Sequence, residues 1–230
     1  MTDSAQIRSR ERVARYGEVL TGTREVSAML DLVRQETERV ESRFLEPACG
    51  DGNFLAEVLA RKLAVIRRRY RRSRPEYERN AIVAVGSLYG IDIQEDNVSR
   101  CRGRLYSILE CEYRAVFGKH AREDCLRAAR FVLERNIVWG DALTLQTVGP
   151  EPAPIVFAEW TPVNGTRIRR RDFIFRELMR PERSATDCLF DGPRDRLTSD
   201  RGDPAFIPEP VREFPLTHYL RVADADESAA

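Results

Sequence analysis

The twelve residues from Phe44 to Leu55 constrain the fold more than any other part of this chain. Residues 43–46 are typical of a short buried strand, and they lead directly into a turn that contains Gly50 and Gly52. Apolar residues then recur at helical spacing from Phe54 onward. Glycines let a backbone turn sharply beside a ligand, and the following helix aims its first amides at that ligand. The segment therefore predicts a strand–turn–helix unit with a ligand at the turn.

Hydrophobic periodicity along the rest of the chain predicts further strands and helices in alternation. The predicted strands are 43–46, 89–93, 136–139 and 154–160, and the predicted helices are 26–40, 54–66, 95–117 and 122–134. Beyond them we expect a short strand or helix at 172–179, loop over 181–215 and a last strand at 218–222. Strands that alternate with helices predict an α/β fold with a doubly wound, mostly parallel sheet, which binds ligands at the carboxyl ends of its strands.

Composition limits the classes of protein to which the chain can belong. Its 230 residues suffice for one substantial domain, and 38 basic residues nearly balance 37 acidic ones. Five cysteines without a CxxC pair, and two histidines without metal-ligand spacing, predict neither a disulfide framework nor a metal site. No signal-peptide core and no apolar run of membrane length is visible, so we expect a cytoplasmic protein. The predicted organisation is a polar segment 1–15, a main domain 16–180 and a loop-rich segment 181–230.

Four sequence motifs carry a resemblance to a known family. FLEPACGDGNFL at Phe44–Leu55 is similar to motif I of the S-adenosylmethionine-dependent N6-adenine DNA methyltransferases, and YGIDI at Tyr89–Ile93 resembles their motif II. NIVWGDAL at Asn136–Leu143 resembles motif III. YGEVLT at Tyr16–Thr21, ahead of motif I, resembles motif X in the order of the gamma group, although Gly22 follows where the family has proline.

The resemblance implies a Rossmann-like class I methyltransferase fold and a set of S-adenosylmethionine-binding residues. In the family, the acid of motif II accepts the ribose hydroxyls and the Asp of motif III accepts from the adenine amino group. The cofactor residues carried over are Thr21, Glu46, Pro47, Ala48, Gly50, Gly52, Asn53, Phe54, Asp92, Ile93, Asp141 and Ala142. Taken alone, Asp92 could instead be a helix-end charge, and Asp141 could cap a turn.

The chain departs from the family at motif IV. There the family has Asn-Pro-Pro-aromatic, which holds the target amino group and stacks on the flipped base. Here Glu159-Trp160-Thr161-Pro162 follows the predicted fourth strand. Glu159, Trp160 and Pro162 are the catalytic candidates, with Trp160 as a base-stacking ring and Glu159 as an acceptor. The alternatives are a core or interface tryptophan and a surface acid.

Two arginine runs are candidates for contact with phosphate. Arg67–Arg72 is interpreted as a solvated helix face, since charge runs usually are. The second run lies just past the motif IV position, where a DNA strand would pass, and its candidate residues are Arg167, Arg169, Arg170 and Arg171.

The motifs leave three functions open. The resemblance implies an N6-adenine DNA methyltransferase of a restriction–modification or phage-defence system. The altered motif IV and the short C-terminal part favour a catalytically deficient, cofactor-binding subunit of such a system. The third function is a methyltransferase for RNA, protein or a small molecule. The expected partners are DNA, bound weakly by the isolated chain, and a specificity or other subunit.

Overall fold

The structure, a computed structural model, describes residues 21–179 and 208–224 as a mixed α/β fold. Its helices are α1 (Thr23–Leu32), α2 (Arg34–Glu38), α3 (Asn53–Tyr70), α4 (Arg74–Gly86), α5 (Glu95–Phe117), α6 (Glu123–Asn136) and α7 (Phe175–Leu178). Its strands are β1 (Phe44–Glu46), β2 (Leu88–Asp92), β3 (Ile137–Asp141), β4 (Gln146–Thr147), β5 (Val156–Pro162), β6 (Arg167–Ile174), β7 (Arg212–Glu213) and β8 (Thr217–His218). Short 3-10 helices span Gly118–His120 and Tyr219–Arg221.

The first sheet has the order β1-β2-β3-β4 and is mostly parallel. β1 pairs with β2 and β2 with β3 in parallel, while β4 folds back antiparallel to β3. Parallel neighbours need a crossover connection, and here α3 with α4, and α5 with α6, supply the two crossovers. The carboxyl ends of β1, β2 and β3 therefore lie together at one end of the sheet, the carboxyl edge; the opposite end is the amino edge.

Helices α3 to α6 all pack into the same hydrophobic core. This larger core contains Leu55 of α3, Ile82 of α4 and Leu88 of β2, whereas the next residue of β2, Tyr89, belongs to a smaller core with residues 155, 157 and 175. Side chains alternate between the two faces of a strand, so the two cores lie on opposite faces of the sheet. In the described residues the four long helices therefore lie on one face of the sheet. The sequence predicted a doubly wound sheet, which has helices on both faces.

Strand β5 confirms the strand predicted at 154–160, but it lies outside the mostly parallel sheet. β5 pairs antiparallel with β6, which also pairs with β7 and β8 in a second sheet. At its start, Ile155 packs on Gly140 near the carboxyl edge; at its end, Trp160 packs on Gly86, just before β2. β5 therefore runs from the carboxyl edge to the amino edge, opposite to β1, β2 and β3.

Other local predictions are partly corrected. The helix predicted over 26–40 is two helices that are separated at Val33, and the last predicted strand, 218–222, is mostly the 3-10 turn Tyr219–Arg221. The run 172–179 contains the end of β6 and then α7. The predictions for 1–15 and for most of 181–230 lie outside the described residues.

Two buried charged side chains tie the elements together. Lys62 of α3 is fully buried and donates to the carbonyls of Val40 (3.0 Å) and Ser42 and to the Ser87 hydroxyl, all at the amino edge. Glu78 of α4 is also fully buried, and its carboxylate accepts from the hydroxyls of two tyrosines, Tyr113 and Tyr219. Satisfied polar groups of this kind specify how the surrounding elements pack.

Candidate functional site

The turn between β1 and α3 has the backbone that the glycines predicted. Gly50 and Gly52 both lie in the left-handed region, with φ of 52° and 85°. A Cβ at Gly52 would meet the Cys101 sulfur of α5 at 2.7 Å, so only glycine fits there without movement. The turn thus brings the first backbone amides of α3 to the carboxyl edge, where they can face an anionic or polar ligand.

Asp92, at the end of β2, connects this turn to the start of α5. It is 8% exposed, and its carboxylate accepts from the Gly50 amide (2.9 Å), the Gln94 amide (2.8 Å) and the Asn97 side-chain amide (3.2 Å). An ionised carboxylate offers about four acceptor positions. Asp92 therefore braces the glycine turn and has capacity for one further donor, such as a ribose hydroxyl.

Glu46 ends β1, next to β2, where it is opposite Gly90. Its side chain is half-buried, and burial raises its pKa, while the Ala48 amide, which donates to it, acts in the opposite direction. Neighbouring strands lie about 4.8 Å apart. Glu46 and Asp92 are thus acceptors on adjacent strands at the carboxyl edge, as the sequence predicted.

Asp141 ends β3 and makes the turn-capping contact that was the alternative for this residue. Its carboxylate accepts from the Leu143 amide at 2.8 Å, and its carbonyl accepts from the Leu145 amide at 2.8 Å. Ala142 packs against the smaller core. Beside them, Ile93 is 46% exposed and Leu143 is 95% exposed, so apolar surface flanks Asp141. Leu143 was not among the predicted residues; a leucine two residues after the acid that ends the predicted third strand is the signal that could have identified it.

Asn53, the first residue of α3, brings two other parts of the chain to the glycine turn. Its side-chain amide donates to the Thr21 carbonyl at 3.1 Å, so the motif X threonine lies beside motif I. Arg104 of α5 donates to the Asn53 side-chain oxygen and to the Asp51 carboxylate, at 3.1 Å for the latter. Arg104 was not among the residues predicted from the sequence. It lies three residues after Cys101 and seven after Asn97, on the same helical face toward the turn.

The remaining cofactor candidates take two different positions. Pro47 and Ala48 are exposed at the carboxyl edge. Phe54 instead points into the larger core, where its ring lies 6.4 Å from that of Phe44. Most of the predicted cofactor-binding residues therefore lie around the carboxyl edge, whereas Phe54 packs in the larger core.

Trp160 lies in the larger core rather than in an open site. It is 6% exposed, its ring meets Phe131 edge-on at 6.1 Å, and its indole N–H donates to the Asn136 side chain at 3.3 Å. Since Gly86 and Asn136 precede β2 and β3, the ring lies under the amino edge. The proposed stacking of Trp160 on a flipped base has no support in this geometry; the core alternative describes it.

Glu159 is also at the amino edge. Its carboxylate lies between the guanidinium groups of Arg43, which precedes β1, and Arg171 of β6. Pro162 is exposed at the end of β5. A five-residue strand such as β2 is on the order of 13 Å long. The catalytic candidates and the cofactor candidates therefore lie at opposite ends of the sheet.

The four arginines predicted to contact phosphate differ in availability. Arg170 is 7% exposed, donates two bonds of 2.8 Å to Asp172 and lies over the Phe214 ring. Arg171 is held by Glu159, and Arg169 lies 3.8 Å from Glu213. Arg167 is exposed. A phosphate contact by Arg170 would require its internal ion pair to open.

A cavity of about 450 Å³ lies on the smaller-core side of the first sheet. Aromatic and aliphatic side chains dominate its lining, and the Arg43–Glu159–Arg171 cluster forms its polar part. The apolar residues that line it are Leu45, Tyr89, Phe157, Phe173, Phe175, Leu178, Met179 and Pro208. No sequence motif predicts this cavity, since its lining comes from five separate segments of the chain.

Comparisons with known proteins add no family to these observations: no protein-family profile, no curated protein and no solved structure matches the chain. Within residues 21–179 and 208–224, no group of His, Cys, Asp and Glu side chains is arranged to hold a metal ion. In the same part of the chain, no helix combines the length and apolar character needed to cross a membrane.

Proposed function

We propose that this chain is a Rossmann-like, S-adenosylmethionine-binding subunit of a DNA adenine-methylation system, and that it does not transfer methyl groups by itself. One observation carries the proposal: Glu46, Asp92 and Asp141 end three adjacent strands beside the left-handed Gly50–Gly52 turn. Acceptors on neighbouring strand ends, together with the free amides of a helix start, suit a nucleoside with a charged tail.

The residues present fit such a cofactor in a definite order. Asp92 can accept one further hydrogen bond, from a ribose hydroxyl, and Asp141 can accept a hydrogen bond from an amino group. The exposed Ile93 and Leu143 offer apolar surface for an adenine ring. At the other end, the α3 amides and Thr21 lie where a carboxylate would be bound. When bound, S-adenosylmethionine would supply an electrophilic methyl group at its sulfonium.

The position of the motif IV residues favours the non-catalytic alternative over an active methyltransferase. Adenine methylation requires the target amino group to be held in line with the sulfonium carbon, within a near-attack distance. Glu159 is neutralised by two arginines, and Trp160 is buried under the amino edge. Neither can reach the carboxyl edge without refolding β5. A partner subunit would have to supply the acceptor and the stacking ring.

Calorimetric titration with S-adenosylmethionine tests cofactor binding directly. We expect saturable binding, and we expect Asp92→Asn to weaken it, because charge-assisted hydrogen bonds contribute about 1.5–3 kcal/mol. Asp124→Asn, an exposed acid on α6, is the matched control and should bind as wild type does. If neither a heat signal nor a thermal shift occurs at millimolar cofactor, the proposal is wrong.

A second assay separates binding from catalysis. Purified chain, labelled S-adenosylmethionine and duplex DNA should yield no methylated DNA, although the cofactor binds. Robust methyl transfer by the isolated chain would contradict the non-catalytic assignment and leave the cofactor site intact.

A further inference from the structure

A group of exposed arginines lies far from the carboxyl edge, at the end of α3. A surface groove of about 700 Å³ runs along the end of α3 and beside α5. We define it as the arginine groove. Four arginines surround a small apolar floor, and its lining residues are Ala64, Arg67, Arg68, Arg71, Arg72 and Val116.

Arginines elsewhere in the structure differ from these in their partners. Most make an ion pair with a carboxylate, among them Arg34, Arg61, Arg79, Arg104, Arg114, Arg127, Arg170 and Arg171. In the groove, Arg67 reaches Glu112 at 3.3 Å. Arg68, Arg71 and Arg72 have no acidic partner within residues 21–179 and 208–224. The near-zero net charge of the chain therefore hides one strongly basic patch.

Helix stability accounts for only part of this patch, Arg67 and Arg68 in the last turn of α3. Basic residues in a last turn do favour the helix dipole, but that effect is limited to the turn, and Arg71 and Arg72 lie past the end of α3. Arginines four residues apart also repel each other, as Arg67 and Arg71 do here. Four exposed guanidinium groups that share the single carboxylate of Glu112 are stabilised when a polyanion lies among them.

The spacing favours a chain of phosphates over a single anion. Arg67 and Arg71, four residues apart, are separated by about 6 Å along the helix axis, so the positive charge extends along the groove and is not confined to one point. The floor of the groove, Ala64 and Val116, offers no exposed ring for base stacking and no side chain for reading base edges. These features fit the backbone of a duplex, contacted without sequence selection.

We propose that the arginine groove binds the phosphate backbone of double-stranded nucleic acid. α3 spans 18 residues from the glycine turn to the groove, which is about 27 Å. A duplex in the groove therefore lies outside the cofactor site and anchors the chain without presenting a base to it. This proposal is independent of cofactor binding, and its test uses no cofactor.

The test measures fluorescence anisotropy of a labelled 30-base-pair DNA with the full chain between 50 and 200 mM salt. We expect Arg68→Gln/Arg71→Gln/Arg72→Gln to reduce affinity at least tenfold. We also expect the slope of log affinity against log salt to become shallower by about 2.7, at 0.9 per phosphate contact. The control variant, Arg24→Gln/Arg34→Gln/Arg39→Gln, also loses three positive charges, on α1, on α2 and just after α2. It should bind the DNA nearly as the wild type does.

Several outcomes would overturn the proposal. One is a groove variant whose affinity and salt slope equal those of the wild type while its melting temperature is unchanged. Another is loss of binding only in Arg167→Gln/Arg169→Gln, which would place the DNA on β6. Preferential binding of a polyglutamate peptide over duplex DNA would assign the groove to an acidic protein. Tighter binding of single-stranded DNA or RNA than of duplex would contradict the duplex assignment.

Discussion

The acidic residues at the two ends of the first sheet differ in their hydrogen-bond donors. At the carboxyl edge, Asp92 and Asp141 accept from backbone amides and keep acceptor capacity toward solvent. At the amino edge, Glu159 is enclosed by two guanidinium groups. Backbone amides orient a carboxylate without cancelling its charge, whereas two arginines neutralise it. An acid near a recognisable motif is therefore informative only once its donors are known.

The comparison yields a general expectation. Substitutions at the amino edge should lower the stability of the fold and leave cofactor affinity unchanged. Substitutions at the carboxyl edge should lower cofactor affinity more than they lower stability.

Trp160→Ala should lower the free energy of unfolding by about 3–5 kcal/mol, because it opens a cavity in the larger core beside Phe131 and removes the bond to Asn136. Urea unfolding measures the loss. Below the melting transition, S-adenosylmethionine should bind to this variant as tightly as to the wild type. Weaker cofactor binding by a folded variant would connect the two ends of the sheet and break the division.

Lys62→Met should cost about 1–3 kcal/mol, since the acceptors at Val40, Ser42 and Ser87 lose their donor. Burial lowers the pKa of Lys62 to about 7, against about 10.4 in an unfolded chain. Between pH 7 and 8.5 the unfolded chain then binds more protons than the folded one, so the wild type should become more stable as pH rises.

The pH test compares the two proteins. Thermal unfolding at pH 7.0, 7.75 and 8.5 should show a rising melting temperature in the wild type and a flatter profile in Lys62→Met. The window ends at 8.5 because the raised thiol pKa of Cys49, due to its hydrogen bond with Cys101 and to burial, and that of Cys125, due to burial, increasingly oppose the trend toward that pH. The wild-type rise should therefore be steeper between pH 7.0 and 7.75 than between pH 7.75 and 8.5. Equal slopes for both proteins would show that Lys62 stays charged in its site.

Gly52→Ala should weaken cofactor binding and cost about 1–2 kcal/mol of stability, because an L-residue is strained at φ of 85° and its Cβ would meet Cys101. Gly103→Ala on α5 is the matched control: nothing lies within 4 Å of its added Cβ, and helix propensity should make that variant slightly more stable. Calorimetric titration and urea unfolding separate the two effects. Unchanged affinity in Gly52→Ala would remove the glycine turn from the site.

Glu159→Gln should have the smallest effect, about 1 kcal/mol or less on stability, because its partners Arg43 and Arg171 are 60% and 34% exposed and the glutamine oxygen can still accept from both. Cofactor affinity should not change. A clear loss of cofactor affinity would show that the amino edge contributes to the site and would revive Glu159 as a functional acid.

Local sequence was sufficient for the elements that surround the carboxyl edge. The turn after β1 requires glycine at positive φ, and α5 was predicted with the bounds that the structure has, Glu95–Phe117. Glu46, Asp92 and Asp141 were placed together because the carboxyl ends of parallel strands share one edge. The identity of the ligand at that edge remains a prediction.

Only the tertiary structure decided the direction of β5 and, with it, the positions of Glu159 and Trp160. An alternating or apolar strand pattern is the same for parallel and antiparallel pairing, so residues 154–160 predicted a strand without its partner. Pairing with β6 turns the strand toward the amino edge, where Trp160 is buried and two arginines enclose Glu159. The same holds for the arginine groove: the sequence shows a basic run, but whether Arg68, Arg71 and Arg72 form an ion pair with any acid of the described residues depends on which helices pack beside them.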